Sequence, residues 1–337
     1  MSHNIETFDS GFLTDRAWHN HPSYVVTGEV ITADQVQSVA FTPITPMISA
    51  TFPDGTVVDD VDNLQVFYRP VVMGDGTTHY HKLSHMSGTY TGLSYEETFG
   101  AIAQVMIDND IPIKTVGTLQ NGGKMFLSAH IPGLDLEFPG WSDTQQWLNF
   151  GDSLNGTSLL RATQSMHAVV CGNTFAAYIL GADPLFKIRH TKNAQAVANS
   201  ALQSLDASIK LSKDIQAAVE QLCNDPFSEA DFLGLLRHDD ICGERPDVGK
   251  DGRTTGQTHY DNVFDAMVDR YHEDDIEGIR ETKFGALMAI QGYEQHVGRA
   301  NKSTSNPTGS KDVQHLDKLM FKGQALTEAA SKILVGA

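Results

Sequence analysis

Cysteine is scarce in this sequence, which has three: Cys171, Cys223 and Cys242. An odd, widely spaced set supports neither a disulfide framework nor a paired-cysteine metal knuckle, and it is what a reducing compartment leaves behind. Long apolar runs are missing as well. None approaches the roughly 20 residues of a membrane-spanning helix, so no membrane partner is expected. The opening MSHNIETFDSGFLTD lacks the basic and apolar regions of a secretory signal, which points to the cytoplasm. Positive charge is the third shortage. With 24 Lys and Arg against 42 Asp and Glu, the net charge of −18 excludes a protein that coats duplex DNA through bulk positive charge. Internal repeats and low-complexity tracts are absent too.

What is present is an ordinary globular composition, 40% apolar and 20% charged, over 337 residues. The negative excess falls almost wholly in residues 1–113 and 193–280, whereas 114–192 and 281–337 are close to balance. An anion can therefore approach only the middle of the chain and its C-terminal segment.

The chain divides into three regions by pattern. Residues 1–90 read as β-rich, with strands over Tyr24 to Ile31, Asn63 to Val72 and Thr78 to Leu83, separated by Pro-Asp-Gly and Gly-Asp-Gly turns. Residues 91–225 read as α-β-β-β-β-α. A helix starts at the capping box Ser94 to Glu97 and runs to Asn109. Strands follow over Ile111 to Leu119 and Lys124 to Ile131, joined at Asn121-Gly122, a type I′ hairpin signal. Further strands are expected over Trp147 to Leu154 and Ser158 to Val170, then a helix from Thr174 to Leu180, with Ala194 to Cys223 as a long helix beyond. Residues 226–337 read as helical: Phe227 to Leu236, capped by Ser228, then Val263 to Tyr271, Thr282 to Val297 and 313–334. A mobile loop is expected at 243–256 and a polar linker at 301–310. The fold class is α+β, an antiparallel sheet and hairpin core flanked by helices, with a mostly helical C-terminal third.

The stretch from Arg161 to Lys192 organises this pattern. An apolar strand ends at Ala168-Val169-Val170-Cys171, Gly172 and Asn173 break it, and Lys187, Arg189, His190 and Lys192 follow as the densest cationic patch. The VVC-x-NT junction and the K-I-R-H-T segment resemble the DUF932 family of phage- and plasmid-like proteins. Trp18-His19, Gly88 to Ile102 with Tyr90 ahead of Glu96-Glu97, the hairpin Thr115 to Ala129 and the tail Lys283 to His296 fit the same family in order, over about residues 16–334. The resemblance implies a mobile element in a bacterial host, a role in DNA metabolism and, as a fold-level analogy, a core like that of the Rad52/RecT strand-annealing proteins.

Several constellations invite sharper chemistry. GTLQNGGK, Gly117 to Lys124, has the composition of a phosphate loop, but an apolar strand follows Lys124 where a helix would be required. His79, His81 and His85 share strand parity and could face a metal, yet no carboxylate or thiolate accompanies them at fixed spacing. Cys171, Asn173 and His190 are the residue types of a thiol hydrolase, but a cysteine closing an Ala-Val-Val run is ordinarily a small core hydrophobe. Neither a cofactor nor a catalytic residue is assigned.

The expectation is a non-enzymatic protein that binds or anneals single-stranded DNA in recombination or replication. Arg161, Lys187, Arg189, His190 and Lys192 would line a groove, with Lys114 and Lys124 of the hairpin nearby. Side-by-side homo-oligomers would sum weak grooves, and an exonuclease or host single-strand-binding protein is the natural partner. Two alternatives remain open: an acidic module that regulates or mimics the targets of host DNA-binding proteins, and an enzyme using the histidine cluster.

Overall fold

The computed structural model describes residues 11–14, 24–59, 64–133, 135, 144–168, 174–176, 185–194, 196–197, 217–249, 254–297 and 325–336. Its first unit is a sheet built from β1 (Gly11–Leu13), β2 (Val25–Val26), β7 (Ile113–Leu119), β8 (Lys124–His130), β9 (Thr144–Ser153), β10 (Leu160–Ala168), β11 (Thr174–Ala176) and β12 (Phe186–Ile188). The order is β11-β10-β9-β8-β7-β1-β2, with β12 also on β10; among the described residues only the β1–β2 pairing is parallel. Two separate hairpins precede the main strands: β3 (Ser49–Thr51) with β4 (Val57–Asp59), and β5 (Leu64–Val72) with β6 (Thr78–Ser87). Of the expected strand over Tyr24 to Ile31, only Val25–Val26 is extended in a sheet.

The hairpin at Asn121-Gly122 forms as its sequence demands. Asn121 and Gly122 have φ of 58° and 87°, and the Gly123 amide donates to the Gln120 carbonyl at 3.0 Å, the closure of a type I′ turn. Gly122 also sits where a Cβ would lie 2.8 Å from the Phe41 ring, so steric room and φ both select glycine.

α1 (Ala33–Val39) and α2 (Tyr95–Asp108) cover one face of the sheet. The Ser94 hydroxyl accepts from the Glu97 amide to start α2, and Asp110 at φ 55° lies in the left-handed region just past its end. Between these stops, Tyr95, Phe99, Ile102, Ala103 and Met106 recur at helical spacing and are fully buried against Val116, Leu127, Leu148 and Phe150. The opposite sheet face is buried too, although it is polar. Thr115, Ser128, Asn149 and Thr163 stand in one cross-strand row; Ser128 donates to Asn149, which donates to Ser165, both at 2.7 Å.

A helical unit has its own core. It comprises helical residues 217–224, α3 (Glu229–Leu236), α4 (Thr255–Tyr271), a 3-10 turn (Asp274–Ile279), α5 (Lys283–Gly292) running into a π-helical turn (Tyr293–Val297), and α6 (Ala325–Val335). Ser228 and Asp231 form the reciprocal capping box of α3. α5 is buried from Phe284 to Gly292, which makes it the central element of this unit.

The structure changes three expectations about elements. Thr174 to Ala176, expected to open a helix, instead pair with His167 to Ser165 as β11. The segment expected to be loop up to residue 256 already enters α4 at Thr255. The single helix expected over Thr282 to Val297 changes to π geometry at Tyr293. Val169 to Asn173, the centre of the long helix before Cys223, and the linker 301–310 lie outside the described residues.

Candidate functional site: a hydroxyl-lined cleft at the exit of β12

β12 is short but strictly alternating. Phe186, Ile188 and the following His190 turn toward the protein, while Lys187 and Arg189 turn outward and are exposed. Ile188 packs with Leu160 and Leu93, anchoring the strand to β10 and to the segment before α2.

His190 then fastens three parts of the sheet unit. Its Nδ1 is 3.3 Å from the Thr91 carbonyl, its own carbonyl accepts from the Thr91 amide at 3.1 Å, and its ring stacks on Tyr90 at 4.7 Å. Nε2 lies 2.8 Å from Oδ1 of Asp152, off the line of a straight hydrogen bond, with the two side chains 2% and 0% exposed. A carbonyl and a carboxylate are both acceptors, so the ring that suits both nitrogens is the doubly protonated imidazolium. Burial draws the His190 pKa down, but the Asp152 charge, its contact and the Thr91 carbonyl together outweigh burial and leave it raised. Tyr90 donates from its hydroxyl to the Ser153 carbonyl at 2.8 Å; burial first, and Asp152 second, push its pKa far above the ordinary phenol value.

This latch forms one wall of a cleft of about 460 Å³. Ser87, Thr89 and Tyr90 come from the end of β6 and the turn after it, Gly156 to Leu159 from the β9–β10 loop, and Arg189, His190 and Thr191 from the exit of β12. The lining is rich in hydroxyls, and among the described residues Arg189 is its one full-time cation. Among the described residues, neither Arg189 nor Lys192 has a side-chain ion-pair partner. Such a site can hold an anion or a sugar-phosphate by charge and hydroxyl bonding; His190 has both ring nitrogens engaged and is not placed as a general base.

The seven cationic residues expected to line a groove do not lie on one surface. Lys187, Arg189 and Lys192 are exposed and close in sequence around the cleft. Arg161, paired across the sheet with Lys187, is 5% exposed, and His190 serves the latch. Lys114 is 8% exposed and donates from Nζ to the Glu29 carbonyl at 2.6 Å, while Lys124, at the base of the β7–β8 turn, is 0% exposed. These four stand at interior positions: both faces of the sheet are covered, so strand cations lose the outward direction that alternation alone would give them. Asp152, Thr157 and Ser158 were missed by sequence reasoning; nothing in their local pattern marks them, whereas Tyr90 belonged to a recognisable motif.

The other constellations resolve by geometry. A bulge leaves Leu83 unpaired, so His81 opposes Arg69 while His85 opposes Val66, and His85 is turned to the other face from His79 and His81. Among the described residues no group of three or more metal-ligating side chains comes together. Cys223 and Cys242 sit half-buried against the helical core, and burial pushes the Cys223 thiol up to about 12. Cys171 lies outside the described residues. No described helix is long and apolar enough to cross a membrane.

No curated protein and no solved structure matches this chain. A family model does match, over residues 82–320, a span that takes in most of β6, the cleft and the helical unit as far as α5, and by it the chain belongs to the DUF932 family, described as a domain of unknown function.

Proposed function

We propose that the protein binds single-stranded DNA along the exit of β12 and acts without catalysis, as a strand-binding or annealing protein of a phage- or plasmid-type element. The observation that supports this reading most is Arg189. In a chain with nearly twice as many acids as bases, an exposed guanidinium with no carboxylate partner among the described residues stands at the mouth of a hydroxyl-lined cleft. Lys187 lies two residues away on the same side of an extended strand, about 7 Å along it, a spacing comparable to consecutive phosphates of an extended polynucleotide. Lys192 continues the exposed series. Phosphate neutralisation supplies affinity without sequence preference, and the acidic surroundings disfavour the more highly charged duplex.

The test is a titration of labelled single strands against salt. Binding at about 50 mM salt that weakens with a log–log slope is expected, and Arg189→Ala should flatten that slope by about 0.7, the share of one phosphate contact on a single strand. No binding at low salt would overturn the proposal.

A further inference from the structure

A cleft that attracts anions through one arginine is sensitive to any charge buried behind its wall, and this cleft has a carboxylate there. His190 is part of the wall, and Asp152 lies behind it with its side chain 0% exposed. Asp152 Oδ1 accepts from the Ser153 amide at 2.8 Å and faces His190 Nε2, while Oδ2 is buried with no hydrogen-bond partner among the described residues. Among those residues the His190 imidazolium is its one ion-pair partner.

The groups packed around the pair leave its charge to that one ring. Tyr90 stacks on His190, and Tyr95 of α2 donates to the Asp152 carbonyl at 3.5 Å; burial first, and the Asp152 charge second, push both phenols up, so both stay neutral. Arg69 of β5 acts on Tyr95, and Gly156 to Leu159 of the β9–β10 loop bring hydroxyls but no titratable side chain. Arg189 and Lys192, on either side of His190 in the chain, are exposed cations. A histidine is the side chain whose charge changes near neutral pH. With the ring doubly protonated the pair is neutral, and Arg189 leaves the cleft a net positive charge. With the ring neutral the pair is negative, buried where salt screens it little, and it cancels the arginine.

We propose that the His190–Asp152 pair is a proton switch on anion binding in this cleft: protonated His190 masks Asp152 and lets Arg189 hold a phosphate group, and neutral His190 uncovers the carboxylate and releases it. The identity of the anion rests on the strand-binding reading above; the coupling between proton and anion does not. Linkage makes the effect reciprocal, so an occupied cleft must hold the His190 proton more tightly than an empty one. While His190 is protonated in both states, pH changes nothing. As pH rises through the pKa of the empty cleft, affinity falls, and the decline stops beyond the higher pKa of the occupied one. The proton is already held more firmly than in a free histidine, which puts this window above the ordinary imidazole value of about 6.5.

The test uses the full chain and two probes whose own charge is constant across the neutral range, sulfate and a short labelled oligothymidine. NMR titration of the His190 ring, assigned through its contact with Tyr90, should give a higher pKa in sulfate than in chloride of equal ionic strength. Strand affinity at fixed salt should fall by about tenfold as pH rises through the window. Asp152→Asn removes the charge being masked and should bind the strand better than the unaltered protein at the alkaline end. His190→Gln leaves that charge uncovered and should bind weakly at every pH. Circular dichroism checks that both variants are folded; a pair that merely held β12 in place would make Asp152→Asn bind worse. A His190 pKa that sulfate does not move overturns the switch, and so does a strand that binds equally at both ends of the pH range, although strand binding itself then stands. Sulfate that raises the pKa while no strand binds at any pH supports the switch and overturns the strand reading.

Discussion

His190 illustrates how far a residue's environment decides its role. Beside Lys187, Arg189 and Lys192 in the sequence it reads as one more cation on a track, and it does hold its proton more firmly than a free histidine, but it spends that charge inward on Asp152. The consequence for pH follows from the direction of the shift. The folded state binds the proton more tightly than the unfolded chain, so the stabilisation is complete below about pH 6.5, the ordinary imidazole value, and is lost as pH rises through the higher folded value. Chemical denaturation between mildly acidic and mildly alkaline pH should show stability falling across that window. In His190→Gln this part of the pH dependence should vanish. Asp152→Asn should lower stability by about 3 kcal/mol near neutral pH, since it strands one member of a buried ion pair. A variant as stable as the unaltered protein, with the same pH slope, would show that the latch holds nothing.

At the scale of elements, the parts legible in the sequence were those with local punctuation. Asn121-Gly122 announced its turn through backbone geometry, Ser94 and Ser228 announced their helices, and the apolar spacing of Tyr95 to Met106 announced a buried face. The misses share a different cause. Thr174 to Ala176 gain their strand state from β10, a partner that no local signal names. The row Thr115, Ser128, Asn149 and Thr163 reads as a solvated face by alternation yet is buried and partly self-bonded, and Lys114, Lys124 and Arg161 are buried as well. The extra residue Leu83 could not be seen, so the histidine set seemed to share one face. Gly122 provides a check on the legible part. Gly122→Ala places a methyl against Phe41 and Arg69 in a left-handed backbone and should cost about 2 kcal/mol, read as a lower denaturation midpoint with unchanged slope.

For the whole molecule, strand binding makes a demand on size. One cleft with an arginine that has no carboxylate partner among the described residues, and two neighbouring lysines, offers few phosphate contacts, so a single copy should hold a strand weakly, and the overall charge of −18 opposes it further. Copies arranged in a row would place such clefts in succession, turning later contacts into intramolecular ones with a high effective concentration. A strand of about 10 nucleotides, within the site size of one small binding fold, should therefore bind weakly in a titration of labelled strands. A strand several times longer should bind far more tightly, by about a hundredfold where linked sites act together. Arg189→Ala should weaken both lengths. If strand length made no difference to the unaltered protein, each copy would be binding alone.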